Sequence, residues 1–427
     1  MRTYPFIDKI AKLVLQPRVL LGIYIAAAVI AAVQLVLLGS HEFTWPKPPY
    51  PDDIMNKPHL MKLFIGRQLT EYNNYLIFKH SFFHLLQGSN LYGVYPAEHW
   101  DFYKYSPTFA LLMAPLAYLP DIVGLTIWNL ANALAVFFAI RMLPLNIRTQ
   151  CMLLLFVAME LLTSLQNTQS NGLMCGLMIA AYGCMQKDKP LWATLWLVLA
   201  TYIKVYGAIG FCLFLFYPGK LRFIAYAALW TIVLGALPLM VTSWQMLVTQ
   251  YTNWAALIKA DASAAVGLSV AGWLKSWFGL TNIMSYITLT GVFLFFLPFL
   301  RFAHYRDEAF RILILASMLL WVVIFNHKAE SPTFIIAVAG AGIWYFSRPK
   351  ATWRAVLFWV VFIFTSLATT DIFPPFVKQH FIYPYTIKAV PCIIAWFVVL
   401  AELMTMRRGE AHPLLMRTPQ LQQKAGV

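Results

Sequence analysis

Apolar runs recur from residue 19 to residue 405 with only short polar joints between them, and that recurrence leaves few folds open. The chain is 60% hydrophobic and 11% charged, far below the roughly 25% charge of an average soluble domain, so ordinary globular folding is excluded. In lipid every backbone polar group needs an internal partner, which helices supply. The expected fold class is therefore all-α, a polytopic membrane protein with residues 1–427 as a single transmembrane domain and no soluble domain before or after it.

Candidate spans are 19–40, 107–140, 149–163, 171–186, 190–203, 205–217, 221–243, 282–300, 310–326, 332–347, 352–370 and 385–405. They amount to about twelve crossings. The net charge of +15 is spread over the joints rather than gathered in a patch, so membrane topology explains it and a nucleic-acid partner does not. Every second joint is basic: Arg141 and Arg148, Lys187 and Lys189, Lys220 and Arg222, Arg301 to Arg311, Arg348 to Arg354, then Arg407 and Arg408. With Arg2, Lys9, Lys12 and Arg18 they put both termini in the cytoplasm. The start of the chain reads as an uncleaved anchor preceded by an interfacial helix through Phe6, Ile10, Leu13 and Val14. The cysteines Cys151, Cys175, Cys184 and Cys212 have no CxxC spacing and are assigned to packing.

Pro115 and Pro120 break the 107–140 run, which predicts a kinked or partly re-entrant element that crosses once. Several other spans are near 14 residues where about 20 are needed, so they are expected to line a cavity or thin the membrane, as a groove for a lipid-linked molecule would. The joints left on the outer side are 41–106, 166–171, 202–206, 244–281, 326–331 and 371–384, and polar chemistry collects there.

The first outer joint holds Asp52, Asp53, Glu71, Glu98 and Asp101, a large share of the 17 carboxylates. Within it Glu71, Asn74, Tyr75, Phe78, Phe82, Leu85 and Leu86 recur at helical spacing, predicting an amphipathic helix at the membrane surface with Glu71 and Asn74 on its buried face. Lys204 interrupts an apolar stretch, where a charge costs about 2.5–3.5 kcal/mol on insertion scales and calls for a counter-ion. It is the leading candidate to bind a phosphate, and Lys104, His327 and Lys328 could add charge. Gln169 and Asn171 could hydrogen-bond sugar hydroxyls; capping of the following helix explains Ser170 or Asn171 equally well. Glu160 lies inside a span, as a functional group or as a hydrogen-bond partner for a neighbouring helix. Trp244, Trp254, Trp273 and Trp277 read as an interfacial belt. No histidine or carboxylate spacing points to a metal, no glycine-rich loop cradles a phosphate, and no cofactor is expected.

NNYLIFKHSFFHLLQGSNLY, KYSPTFALLMAPLAYLP at 104–120, Gln169-Ser170-Asn171 and ATYIKVY at 200–206, in that order and spacing, resemble glycosyltransferase family 87, whose members are GT-C-type enzymes related to polyprenyl-phosphate-mannose-dependent mannosyltransferases. The resemblance runs from about 71 to 222 and is looser beyond, where GLSVAGWL at 267–274 is similar to a small-residue-serine loop of the family. It implies a GT-C-type helical bundle and transfer of a mannose-like hexose, with inversion at the anomeric carbon, from a polyprenyl-phosphate donor to a lipid or glycan acceptor on the non-cytoplasmic face of a bacterial-type inner membrane. Tyr105 and Tyr206 fall in its tyrosine-proline and lysine-x-tyrosine segments and join Gln169, Asn171 and Glu160 as sugar or acceptor contacts. Family members usually carry an aspartate, thought to be the general base, where this chain has Asn74. An amide cannot take up a proton as a carboxylate does, so Glu71, one helical turn earlier on the same face, is expected to supply the base, with Asp52 or Asp53 folding in, or no catalysis at all, as the alternatives. Two rivals remain: a transporter or flippase for a lipid or small solute, and a non-catalytic relative that binds a glycolipid.

Overall fold

The computed structural model describes residues 13–42, 68–261 and 266–408. Asp52 and Asp53, Phe6 and Ile10 lie outside the described residues. The described chain is helical apart from a short antiparallel pair, β1 (Ser40–Glu42) and β2 (Gln68–Thr70). The all-α membrane architecture expected from the apolar runs is what is found.

Among the described residues four helices are long and apolar enough to cross a bilayer: α1 (Pro17–Leu38), α5 (Asp121–Arg141), α6 (Ile147–Gln166) and the stretch Lys220–Met240, which opens as α9 (Lys220–Ala236). Between and after them come α7 (Asn171–Gln186), α8 (Pro190–Ile203), α10 (Trp244–Asp261), α11 (Val270–Phe278), α12 (Met284–Phe296), α13 (Glu308–Ile324), α14 (Phe334–Ser347), α15 (Thr352–Val361) and α16 (Val390–Thr405). α13 and α14 pack on each other and are buried on nearly every side, as helices apolar all round should be when they form the centre of a bundle. α1 presents Ala28, Ala31 and Ala32 to α5 and α6, small side chains that let backbones approach, and Tyr24 donates to the Leu154 carbonyl at 2.8 Å. By contrast α9 buries only Phe223 and Leu234 and leaves Leu221, Ile224, Leu229 and Ile232 exposed, a face suited to lipid.

Two spans differ from the expected ones. The 107–140 run is three pieces, α3 (Pro107–Leu112), α4 (Ala114–Ala117) and α5, because prolines at 107, 115 and 120 each occupy a helix start or the residue before one. The crossing is α5 alone, while α3 and α4 pack against the first-loop helix α2 (Asn73–Leu86). Residues Val205–Phe216 form a continuous 3₁₀ helix of 12 residues. At about 2.0 Å per residue such a run reaches about 24 Å, where an α-helix would reach about 18 Å, so a segment too short to cross as an α-helix is lengthened by its winding.

The first-loop helix also departs from expectation. It begins at Asn73, because strand β2 leads into a turn at Glu71 and Tyr72, so Glu71 lies outside the helix and is exposed. Asn74 is partly buried, and it is Asn73 that is fully packed, donating to the Trp100 carbonyl at 2.6 Å and accepting from the Trp100 amide at 2.9 Å.

The polar joints are segregated by end. Those read as exterior are stitched together: the Ser106 amide donates to the Tyr202 carbonyl at 3.3 Å, Gly267 and Leu268 amides to the His327 and Ala329 carbonyls at 2.6 and 2.8 Å, and Trp277 Nε1 to the Tyr385 carbonyl at 2.7 Å. At the opposite end the basic joints close on α16, with Arg348 and Arg354 each 2.8 Å from the Glu402 carboxylate and Arg301 bonded to the carbonyls of Leu403 and Met406. The cysteines are unpaired and packed as expected.

Candidate functional site

Lys204 breaks α8 from the 3₁₀ helix. Its backbone is extended (φ −139°, ψ 124°), and its amide and carbonyl bond to Ala200 and Gly207 at 2.8 Å each, which turns the side chain out of the helical pattern. Gly207 makes the sharp joint possible, since a Cβ there would stand 2.7 Å from the Ala200 carbonyl oxygen. Lys204 Nζ donates to Asn171 Oδ1 at 2.8 Å, and the same oxygen accepts from the Tyr206 hydroxyl at 3.2 Å. Asn171 Nδ2 donates to Gln169 Oε1 at 2.6 Å, and Gln169 Nε2 to Glu330 Oε2 at 2.5 Å. A polar chain thus runs from an ammonium through two amides to a carboxylate. The rings of Tyr105 and Tyr206 each lie 5.8 Å from the ammonium and wall it in. Desolvation disfavours the charge of Lys204, the Glu330 carboxylate favours it and Lys104 opposes it.

The turn carrying Gln169 and Asn171 is held by its surroundings. Thr168 is left-handed (φ 50°), its carbonyl accepts from Trp128 Nε1 at 2.9 Å and its hydroxyl from the Tyr75 amide at 3.2 Å. Asn74 Nδ2 donates to the Asn167 carbonyl at 2.9 Å. The first turn of α2 is therefore fastened to the joint that carries Gln169, which sets Asn74 against that joint, while Glu71 is exposed in the turn before the helix.

Lys104 and Tyr105 reach the cluster on a clamped segment. Ser106 caps α3 by accepting from the Phe109 amide at 3.1 Å, the Tyr92 hydroxyl donates to the Tyr105 carbonyl at 3.0 Å, and Trp254 Nε1 to the Lys104 carbonyl at 3.2 Å. Trp254 thus fixes this segment as well as any interface. Asp101 is left-handed (φ 74°), and its carboxylate accepts from the Phe102 amide at 2.8 Å and from Lys104 Nζ at 3.2 Å.

Glu330, which sequence reasoning passed over, is held by the 326–331 joint packing on the 267–274 loop. Gly267 is required there: a Cβ would come 2.5 Å from the Ala329 carbonyl oxygen. Gly267→Val should push the two joints apart and displace Glu330, reducing any activity that depends on the cluster by about tenfold or more at near-normal expression, measured in membrane fractions. Ser331 beside Glu330 has a buried hydroxyl without a hydrogen-bond partner. His327 and Lys328 precede Glu330 in the same joint; the His327 carbonyl accepts from Gly267 and the Lys328 amide donates to Asn326 Oδ1 at 3.0 Å.

Glu160 is not brought to this cluster. It is fully buried against Lys388, Nζ to Oε1 2.7 Å, where the alternative reading, a bond to a neighbouring element, holds. The fold gathers His84, Glu98 and His99 beside α2, from an H-x-x-x-H pair at 80–84 and an adjacent Glu-His at 98–99 that linear spacing does not connect.

Comparison with known proteins now adds the family. No curated protein matches the chain. The model of glycosyltransferase family 87 matches residues 102–370, which takes in Lys104, Tyr105, Gln169, Asn171, Lys204, Tyr206 and Glu330. The match begins after α2 and extends well beyond 222, so it covers more of the second half than the motifs indicated and less of the first loop. An all-helical membrane bundle with a lysine-amide-carboxylate cluster at one end, matched over more than half its length by this family, belongs to glycosyltransferase family 87 and is a membrane glycosyltransferase.

Proposed function

We propose that the protein transfers a mannose-like hexose from a polyprenyl-phosphate donor to a lipid or glycan acceptor, with inversion, at the non-cytoplasmic face of a bacterial-type inner membrane with both termini in the cytoplasm. One observation carries the reading: a partly buried lysine at the joint of two short spans, boxed by two tyrosines and joined through Asn171 and Gln169 to Glu330. An ammonium there suits a leaving phosphate whose prenyl tail stays in lipid, and stabilising charge that develops on the leaving group is usually the largest catalytic contribution. The amides and tyrosine hydroxyls are of the kind that bind sugar hydroxyls. Lys104, with His327 and Lys328, adds positive charge at the rim.

We assign the acceptor-activating base to Glu330, the carboxylate hydrogen-bonded into the cluster. Two amides separate it from Lys204, so the proposed base and the proposed phosphate site are distinct groups joined by one hydrogen-bonded chain. Glu71, in the exposed turn ahead of α2, is the second candidate, and Asp52 and Asp53 precede it in the same loop. With proteoliposomes and a radiolabelled polyprenyl-phosphate mannose, Glu330→Gln should lower transfer by about 10²–10⁴ and Glu71→Gln by less than about tenfold. The reverse pattern would move the base to Glu71. Absence of transfer by the native chain across lipid and glycan acceptors, with donor still bound, would favour a non-catalytic glycolipid binder. NMR of the product reports the anomer, and retention would remove the inverting mechanism.

A further inference from the structure

Three histidines and a glutamate of the first exterior joint take no part in the transfer site. His80 and His84 stand four residues apart on α2 and share a face. The chain returns across that face with Glu98 and His99, so that the ligating atoms of His84, Glu98 and His99 lie within 4.8 Å of one another. Glu98 Oε2 is 2.8 Å from His84 Nε2 and 3.5 Å from His80 Nδ1. His84 Nε2 and Glu98 Oε2 are both buried, and they face each other as an ion pair whose geometry falls short of a well-directed hydrogen bond, so a ligand that binds both would complete them.

We propose that His84, Glu98 and His99 hold a divalent cation of the zinc class, with His80 as the fourth ligand, and that the ion fastens the exterior joint across α2. Imidazole nitrogens with a single carboxylate suit zinc and its neighbours, whereas calcium and magnesium call for oxygen ligands. Tetrahedral zinc with bonds of about 2.0–2.2 Å sets its ligands about 3.4 Å apart, so His84 Nε2 and Glu98 Oε2, now 2.8 Å apart, would open by about 0.6 Å and atoms at the outer limit of 4.8 Å would close by about 1.4 Å. Two of the rings are already oriented. His99 Nδ1 faces the Asp101 carbonyl at 3.2 Å, which leaves Nε2 for a metal, and His84 stacks on Tyr95 with ring centroids 3.7 Å apart. Glu98 and His80 are 33% and 28% exposed and give an ion its way in.

The position of this site gives it a use. His99 holds the Asp101 carbonyl, the Asp101 carboxylate holds Lys104, and Lys104 adjoins Tyr105 in the wall around Lys204. A cation bound at His99 would therefore stiffen the segment that closes the transfer site, as a positioning element that never touches the sugar.

The test is metal content, which stands or falls independently of transfer. Untagged full-length protein in nanodiscs, stripped with a chelator and re-equilibrated with Zn²⁺, should retain one ion per chain by mass spectrometry, and Co²⁺ should give the visible absorption of a tetrahedral nitrogen-oxygen site. Glu98→Gln, a near-isosteric change at a partly exposed position, and His84→Ala should each weaken Zn²⁺ binding by at least about tenfold, while His380→Ala on the far joint should not. Because His84→Ala also opens a packed site, Glu98→Gln with a native elution profile is the deciding variant. No stoichiometric zinc on the native chain, or zinc retained with native affinity by Glu98→Gln, would overturn the proposal and leave the cluster a hydrogen-bonded histidine-glutamate pair.

Discussion

Replacing Lys204 by alanine should lower transfer from a polyprenyl-phosphate donor by about 10²–10³, the loss seen when one preorganised group facing developing charge is removed, while leaving the fold as stable as before or more so. The two halves of the expectation have one cause. A charge among apolar neighbours costs about 2.5–3.5 kcal/mol at the centre of a span and less towards its end, so folding gains little from Lys204 and removing it relieves desolvation. Its neighbours are arranged to keep it there: Asn171 and Tyr206 hydrogen-bond around it and Glu330 supplies opposite charge. Asn171 and Gln169 remain bonded to each other without the ammonium, which limits collapse. Lys204→Arg should retain part of the activity, because charge survives but the planar fork does not fit a site built for a compact ammonium. Paired assays of transfer rate and thermal midpoint check the split; an unfolded Lys204→Ala protein would mean that the lysine is structural.

The opposite pattern is expected at the second buried cation. Lys388→Met should destabilise the protein by about 3–5 kcal/mol, because it strands the Glu160 carboxylate in the centre of the bundle. The pair is enclosed on both sides, with side chains 1% and 0% exposed, and Lys388 also lies over the Phe334 ring at 5.5 Å while its carbonyl accepts from the Thr365 hydroxyl at 2.8 Å. Combining Lys388→Met with Glu160→Gln should restore most of the loss, since no uncompensated charge remains. Chemical or thermal unfolding in one detergent measures both. A single variant as stable as the native protein would show that the ion pair contributes little, and a double variant as damaged as the single would show that packing rather than charge is at stake.

What could be read from the linear chain was whatever a short window contains. Apolar runs announce helices, and the alternation of basic and polar joints sorted the two ends of the bundle, because both are local properties of the sequence. Lys204 stood out for the same reason, a charge among apolar neighbours, and Gln169 and Asn171 because amides break an apolar pattern. Glu330 did not stand out, since a carboxylate in a polar joint reads as solvated; its role depends on Gln169, 161 residues away. Glu160 is conspicuous as a carboxylate inside an apolar run, but its partner Lys388 is 228 residues distant, so a short window leaves function and structure equally open. Glu71 was placed on the wrong side because helical spacing continues through it while the backbone does not: strand β2 sets the entering direction, and the helix starts two residues later. The histidine cluster was invisible because half of it lies on α2 and half on the returning loop, with Glu98 and His99 fourteen or more positions beyond His84.

The central claim is that Lys204 receives the phosphate of a lipid-linked donor. Its most direct test is the affinity of purified protein in nanodiscs for a polyprenyl phosphate, measured side by side for the native chain and Lys204→Ala. Loss of a charge-assisted contact worth about 2 kcal/mol predicts binding weaker by about 30-fold in the variant. Equal affinities for the two proteins would contradict the claim.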